Sequence, residues 1–235
     1  MRRCRLVILV RQQHEDGGLY TSYQPFQNRL DEGNGLPRLA HGAWVLARAG
    51  RILGGDDLKH AADRAINHLL QTACVCDEGV WLQSNDEAAS VSESSFLLLA
   101  LSNLVDNDPR RQMMDRLSAT LARMVQPLRT HLNSSRPERR HRRFPGLLSP
   151  QALLALAVAA AENSATINEN QLHRSFSYYR HRFRYRRDFG QVTWLMQAFS
   201  KWWQVTGAAE FAEFVFEIAD WLLGYQQREG GRLHQ

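Results

Sequence analysis

Arg38 and His41 stand three residues apart in "LPRLAHGAWVLARAG" (36–50), a spacing that puts both on one face of a helix. An Arg fork binds a carboxylate through two parallel hydrogen bonds, and an imidazole takes and gives protons near neutral pH. The pair suits a site that holds an acid group and moves a proton beside it. Each also has a plainer use, Arg38 as a brace for a loop and His41 as a core histidine. The carboxylates come next. Asp31 and Glu32 precede this segment and Asp188 lies far downstream. Two carboxyl groups across a glycosidic bond, one of them protonated, are what glycoside hydrolysis needs. Glu93 sits in the apolar stretch "SVSESSFLLLALSNLV" (90–105), where an unpaired carboxylate is costly. It must face the cavity, pair with an Arg or sit at the exposed first turn, and the last, favoured by the helix dipole, is the expected place. Tyr20, Tyr23, Trp44, Trp81, Phe144 and Trp194 offer rings on which a sugar can stack, although aromatics at helical spacing also fill cores.

Other chemistries find no support. The three cysteines, Cys4, Cys74 and Cys76, make neither a disulfide framework nor a zinc or redox spacing, so a reducing cytoplasm is the expected setting. No metal site, phosphate-binding glycine loop, GxSxG or Asp-rich motif is present, and no cofactor is expected. The longest apolar run, 152–161, is too short for a membrane span. The start "MRRCRLVILVRQQ" lacks the apolar length and cleavage site of a signal peptide. Formal charge is +5, and of 29 basic residues only Lys59 and Lys201 are lysines. The positive charge therefore comes as planar forks suited to carboxylate or phosphate.

The elements that must position these groups are helices. Apolar spacing and breaker residues predict eight of them, at about 39–53, 58–74, 90–105, 111–124, 149–163, 169–179, 191–207 and 209–226. Ser149 is the expected N-cap of the fifth, with Pro150 in its first turn. The eight fall into four pairs, most with a more apolar first member and a more amphipathic second. A buried helix followed by a half-exposed one is the signature of an α/α toroid, whose inner ring is covered on both sides. One phrase occurs twice, as "RQQHEDGGLY" at 11–20 and "YQQREGGRL" at 225–233. It reads as the end of an outer helix and a Gly-Gly turn that sends the chain inward. Segments such as "GLYTSYQP" then read as strands or loops over the mouth of the ring. A plain α-solenoid is the competing arrangement.

Three stretches, "DGGLYTSYQP…LPRLAHGAWVLARAG", "FPGLLSPQALLALAVAA" and "WLMQAFSKWWQVTGAAEFAEFVFEIADWLLGYQQREGG", resemble the six-hairpin glycosidase-like superfamily. That group includes unsaturated glucuronyl hydrolases and sugar 2-epimerases, with the helical domain of glucuronyl C5-epimerases as a broader analogue. The resemblance implies an all-α, α/α-toroid fold in a single domain over 1–235. It also implies a sugar partner, often an acidic oligosaccharide, and, for an enzyme, hydrolase-like or epimerase-like chemistry. Superfamily members commonly close six hairpins, whereas four are visible here. The chain is thus expected to form an open arc, incomplete at both ends, with an apolar edge that favours self-association.

In such an arc the segments that lead into inner helices line the cavity. Asp31, Glu32, His41 and Asp188 are the catalytic candidates, and Tyr20, Tyr23, Arg38, Trp81, Glu93, Phe144 and Trp194 the substrate-binding ones. The aromatic members and Arg38 are expected at one end, near the axis. Two other readings compete. One is a noncatalytic helical-repeat interaction module. The weaker is a nucleic-acid binder using "RPERRHRR" (136–143) and "YYRHRFRYRR" (178–187). The latter gives one basic and one aromatic face as a strand, or inward rings and solvated arginines as a helix.

Overall fold

The computed structural model describes residues 10–11, 13–20, 22–31, 35–76, 79–82, 91–104, 108–123, 147–162, 165 and 167–226. Eight helices form among them: α1 (Leu36–Leu53), α2 (Asp56–Gln71), α3 (Val91–Leu101), α4 (Asp108–Arg123), α5 (Pro150–Ala161), α6 (Glu169–Tyr185), α7 (Phe189–Thr206) and α8 (Ala209–Leu223). Two antiparallel hairpins accompany them. Strand β1 (Ser22–Gln24) pairs with β2 (Arg29–Asp31), and β3 (Ala73–Cys76) with β4 (Gly79–Leu82).

Helix α1 packs on α3, α3 on α5 and α5 on α7, while α2, α4 and α8 back their preceding partners. This is the all-α, toroid-like layering of inner and outer helices. The inner members α3 and α5 are buried almost all round because their sequences are apolar on every face. In α2 only the stripe Ala61, Ala62, Ala65, Ile66 and Leu69 is buried, as the three-and-four spacing predicts. Helix α6 reaches its neighbours through long side chains. Its Phe176 ring meets Phe199 of α7 at 5.3 Å and Phe211 of α8 at 5.0 Å, both edge-on. Across the α5–α7 seam the Trp202 indole N–H donates to the Leu153 carbonyl at 3.0 Å. No described helix is long and apolar enough to cross a membrane.

The first Gly-Gly turn has a definite job. Val10 and Arg11 are helical. The turn that follows is locked to α2 by Gln13, whose amide donates to the carbonyls of Ala61 (2.8 Å) and Gly17 (3.1 Å). Arg64 in turn donates to the Gln13 side-chain oxygen at 2.6 Å. Gly17 has φ +96°, and a Cβ there would lie 2.2 Å from the Arg64 carbonyl oxygen. Conformation and close approach both require glycine. Leu19 then seats on α1 at Gly42, where a Cβ would come within 2.6 Å of its methyl group. The second copy of the phrase lies largely outside the described residues.

Several elements differ from the sequence-based expectation. The second helix ends at Gln71, and Cys74 lies in β3 rather than in the helix. Val75, Val80 and Trp81 favour strand, and β3 and β4 pair as an antiparallel hairpin. Its strand β4 is fastened by two amides, Val80 donating to Thr120 Oγ1 of α4 (3.0 Å) and Leu82 to Ser94 Oγ of α3 (3.1 Å). Helix α6 runs to Tyr185 rather than to 179, so 178–187 is not an extended basic strand. Its Phe176, Tyr179 and Phe183 point into the core. Ser149 does cap α5, accepting from the Ala152 amide at 3.2 Å. The two ends of the arc do not stand fully apart. Side chains of α1 and α7 meet, with Arg48 donating to Gln197 at 3.4 Å. Large apolar groups remain exposed on the last hairpin, Phe216 and Leu223 among them.

Candidate functional site

Helices α1, α3 and α7 bring one aromatic residue after another to a common point. Trp44 and Phe96 stack with centroids 5.8 Å apart. Trp194 meets Phe96 edge-on at 5.4 Å and Trp44 at 5.9 Å. His41 joins all three, at 4.9 Å from Phe96, 5.6 Å from Trp44 and 6.0 Å from Trp194. These separations fall in the range where ring quadrupoles attract. His41 and Trp44 lie in the first half of α1 and Trp194 near the start of α7, so the cage marks one end of the inner-helix cluster. Arg48 extends it, its guanidinium 5.6 Å above the Trp44 ring. The outer edge of His41 is exposed, yet the rings around it desolvate the imidazole and hold its pKa below the usual histidine value. At neutral pH this histidine is an uncharged base with an open edge.

Glu93 lies one turn before Phe96 on the same face of α3. It is 7% exposed, not on an open first turn as the sequence suggested, because β4 and its neighbouring helices cover α3 from its first residues. Its Oε2 is buried and has no hydrogen-bond partner among the described residues. Arg38, one turn before His41, is exposed, and among the described residues nothing pairs with it. Cage, buried carboxylate and open guanidinium thus share the N-terminal halves of α1 and α3.

The remaining candidates are more scattered. Tyr20 packs on His14 at 3.8 Å, next to the Leu19 that seats on α1. Tyr23 is 52% exposed on the β1–β2 hairpin, its hydroxyl donating to Asn28 at 3.0 Å. Trp81 is half-buried in β4 opposite Cys74. No described ring contact links these three to the cage. Asp188 is the N-cap of α7 and accepts from the Gly190 amide at 2.9 Å. That bond gives its carboxylate a capping role. Glu32, Phe144 and the Asp31 side chain lie outside the described residues, and with them the proposed carboxylate pair. Phe96, Arg48 and Gln197 escaped the sequence reading. Phe96 alone left a trace there, as the one ring in a leucine-rich helix.

The basic end of α6 is largely occupied. Arg184 holds Glu217 of α8 bidentately at 2.7 and 2.8 Å, Arg180 reaches Glu213 and Glu217, and Arg187 lies over Phe183 and Trp221. The other run, 136–143, is outside the described residues. At the far ends of the inner helices, Glu162 faces Arg51, Lys201 and Arg111, while burial raises its pKa. Among the described residues no three His, Cys, Asp or Glu side chains gather as a metal site would require.

No protein-family model and no curated protein matches the chain. Among solved structures, a sugar epimerase from a ruminal bacterium superimposes with a TM-score of 0.62. The match spans the whole of this chain and 75% of that one, at 16% sequence identity. At that identity the likeness speaks for architecture alone. The chain has a sugar-epimerase-like fold.

Proposed function

We propose that this protein binds a carbohydrate at the end of the arc where His41, Trp44, Phe96 and Trp194 converge, with His41 as the group that exchanges a proton with it. The observation that carries the reading is the aromatic cage around a neutral, partly open imidazole. Trp194, the partly exposed ring, can meet the apolar face of a sugar with the buried Trp44 and Phe96 backing it, and an uncharged imidazole can take a proton. The sugar-epimerase-like fold supports it. Arg38, exposed and unpaired among the described residues, suits a uronic-acid carboxylate, which its fork would grip with two parallel bonds.

The test is a titration of tryptophan fluorescence with glucose, glucuronate and short acidic oligosaccharides, run beside Trp194→Ala and Arg38→Lys. Saturable quenching should appear in the wild type and disappear in Trp194→Ala. Arg38→Lys should weaken the acidic sugars several-fold and spare glucose, because one point charge does not reproduce a fork. Proton exchange should show as solvent deuterium entering a carbon-bound position of the bound sugar, and His41→Asn should stop it. Absence of saturable binding to every sugar at low salt would overturn the reading.

A further inference from the structure

We infer that the protein forms a two-fold dimer through α8, a second copy lying antiparallel on the apolar flank that this helix leaves open. The two edges of the arc are unlike. On α2, the flank toward the next outer helix meets α4, where Arg110 pairs with Asp63 at 2.7 Å. The opposite flank is closed by the turn at 13–19, through the Gln13 bond to Ala61 and the seating of Leu19 on α1. On α8, the flank toward α6 is closed by side-chain pairs, Glu210 with His173, Glu213 with Arg180 and Glu217 with Arg184. The opposite flank meets no further hairpin among the described residues, and it is apolar. There Phe216 is 67% and Leu223 61% exposed. A stack of helix pairs needs a polar outer face where it stops, and α8 lacks one on this side.

What fits that flank is the same flank of a second copy. Ala212, Phe216, Ala219 and Leu223 recur at four, three and four residues, the seam spacing of a coiled coil. The series runs small, large, small, large. Laid antiparallel about a two-fold axis, Phe216 of each copy meets Ala219 of the other, and Leu223 meets Ala212. Every large side chain then faces a small one, as a self-complementary patch requires. The glutamates of α8 are engaged with α6, and Asp220 stands at the rim, so two copies meet without burying an unpaired ion. Exposed rings of α7 extend the face at its two ends, Phe189 against Tyr225 and Trp203 beside the turn into α8. Rings of about 200 Å² each, roughly half exposed, give with Leu223 several hundred Å² of apolar surface. That is more than a monomer usually leaves bare, and on the scale of a standard interface at about 800 Å² per partner. Because the other edge of the arc is capped, pairing closes at two copies and does not grow into a filament.

The test is the mass of the full chain in solution, by light scattering and sedimentation, from low to high micromolar concentration. We expect a reversible monomer–dimer equilibrium with nothing larger. Phe216→Glu should be monomeric throughout, with an unchanged circular-dichroism spectrum because the ring is exposed. Ala219→Lys should also be monomeric, and it carries the test if Phe216→Glu loses helix. Mixed in equal amounts the two should dimerise again. The antiparallel seam sets the new carboxylate opposite the new ammonium and leaves the second Phe216–Ala219 contact intact. Phe26→Glu, at a fully exposed ring on the β1–β2 hairpin, should leave the dimer unchanged. A wild type that stays monomeric, species larger than a dimer, or variants of the α8 face that pair as the wild type does would overturn the inference. So would loss of the dimer in Phe26→Glu, which would make the association a general stickiness, and so would a mixture that fails to pair.

Discussion

At the scale of single residues the cage sets the properties of one imidazole. His41 has three rings within 6.0 Å, and their desolvation lowers its pKa from the usual histidine value of 6.5. The unfolded chain therefore takes up this proton before the folded one does. Between the folded pKa and 6.5 stability rises with pH, and acidification through that window removes it. A histidine-resolved NMR titration should place the His41 midpoint below 6.5, and His41→Asn should flatten that part of the stability profile. A midpoint at or above 6.5 would contradict the desolvated cage. Arg38, His41 and Trp194 were legible in the sequence because charge, acid–base type and helical spacing are local properties. The burial of Glu93 was not, since it depends on β4 lying over α3 through the Leu82–Ser94 bond. Neither was the capping bond that occupies Asp188, because a carboxylate just before a helix reads as a cap or an acid with equal ease.

The elements obey local rules more closely. Gly17→Ala places a methyl group against the Arg64 carbonyl and imposes a left-handed backbone on a side chain. It should destabilise the protein by about 2 kcal/mol or more, read as a lowered denaturant midpoint, and loosen the turn held by Gln13. The pairing of α6 with α8 is electrostatic on its outer side. Arg184 depresses the Glu217 pKa through a direct hydrogen bond, with Arg180 adding to it. A depressed carboxylate pKa gives stability that is present above about pH 4.5 and lost as pH falls through the folded value. Glu217→Gln should cost on the order of 1 kcal/mol or less at neutral pH, given the partial exposure of the pair, and nothing in acid. An equal cost at pH 3 would show that charge is not the cause. Helix existence was readable throughout, from three-and-four spacing and from caps such as Ser149. The exceptions follow from competition between local signals. Residues 73 and 74 pass as the end of a helix until Val75, Val80 and Trp81 favour a pair of strands. The alternating 178–187 run satisfies a strand period and a helix period at once, and packing of Phe176 and Phe183 under α8 decides for the helix.

For the whole molecule, the alternation of buried and half-exposed helices gave the toroid-like layering, because burial on two sides needs an apolar surface all round. What the sequence could not state is how far the arc bends. Four helix pairs with nothing but periodicity to describe them fit an open crescent as well as a bridged one, and the bridge here consists of a few side chains from α1 and α7. Trp194→Ala or Arg48→Ala should therefore raise hydrogen exchange in α1 and α7 together, with α5 little affected; exchange confined to the mutated helix would argue against a bridge. Arg48 and Gln197 are separated by 149 positions along the chain, whereas each inner helix finds its next neighbour within a much shorter span. The chain entropy lost in joining two points grows with the logarithm of the length between them, so this long-range contact is the last to repay its closure during folding. A sugar bound as proposed would touch His41 of α1 and Trp194 of α7 together, and so act as a reversible crosslink across that long loop. Its binding energy would then appear as resistance of the entire fold to unfolding, rising with ligand concentration by mass action, and a melting curve would become a ligand detector.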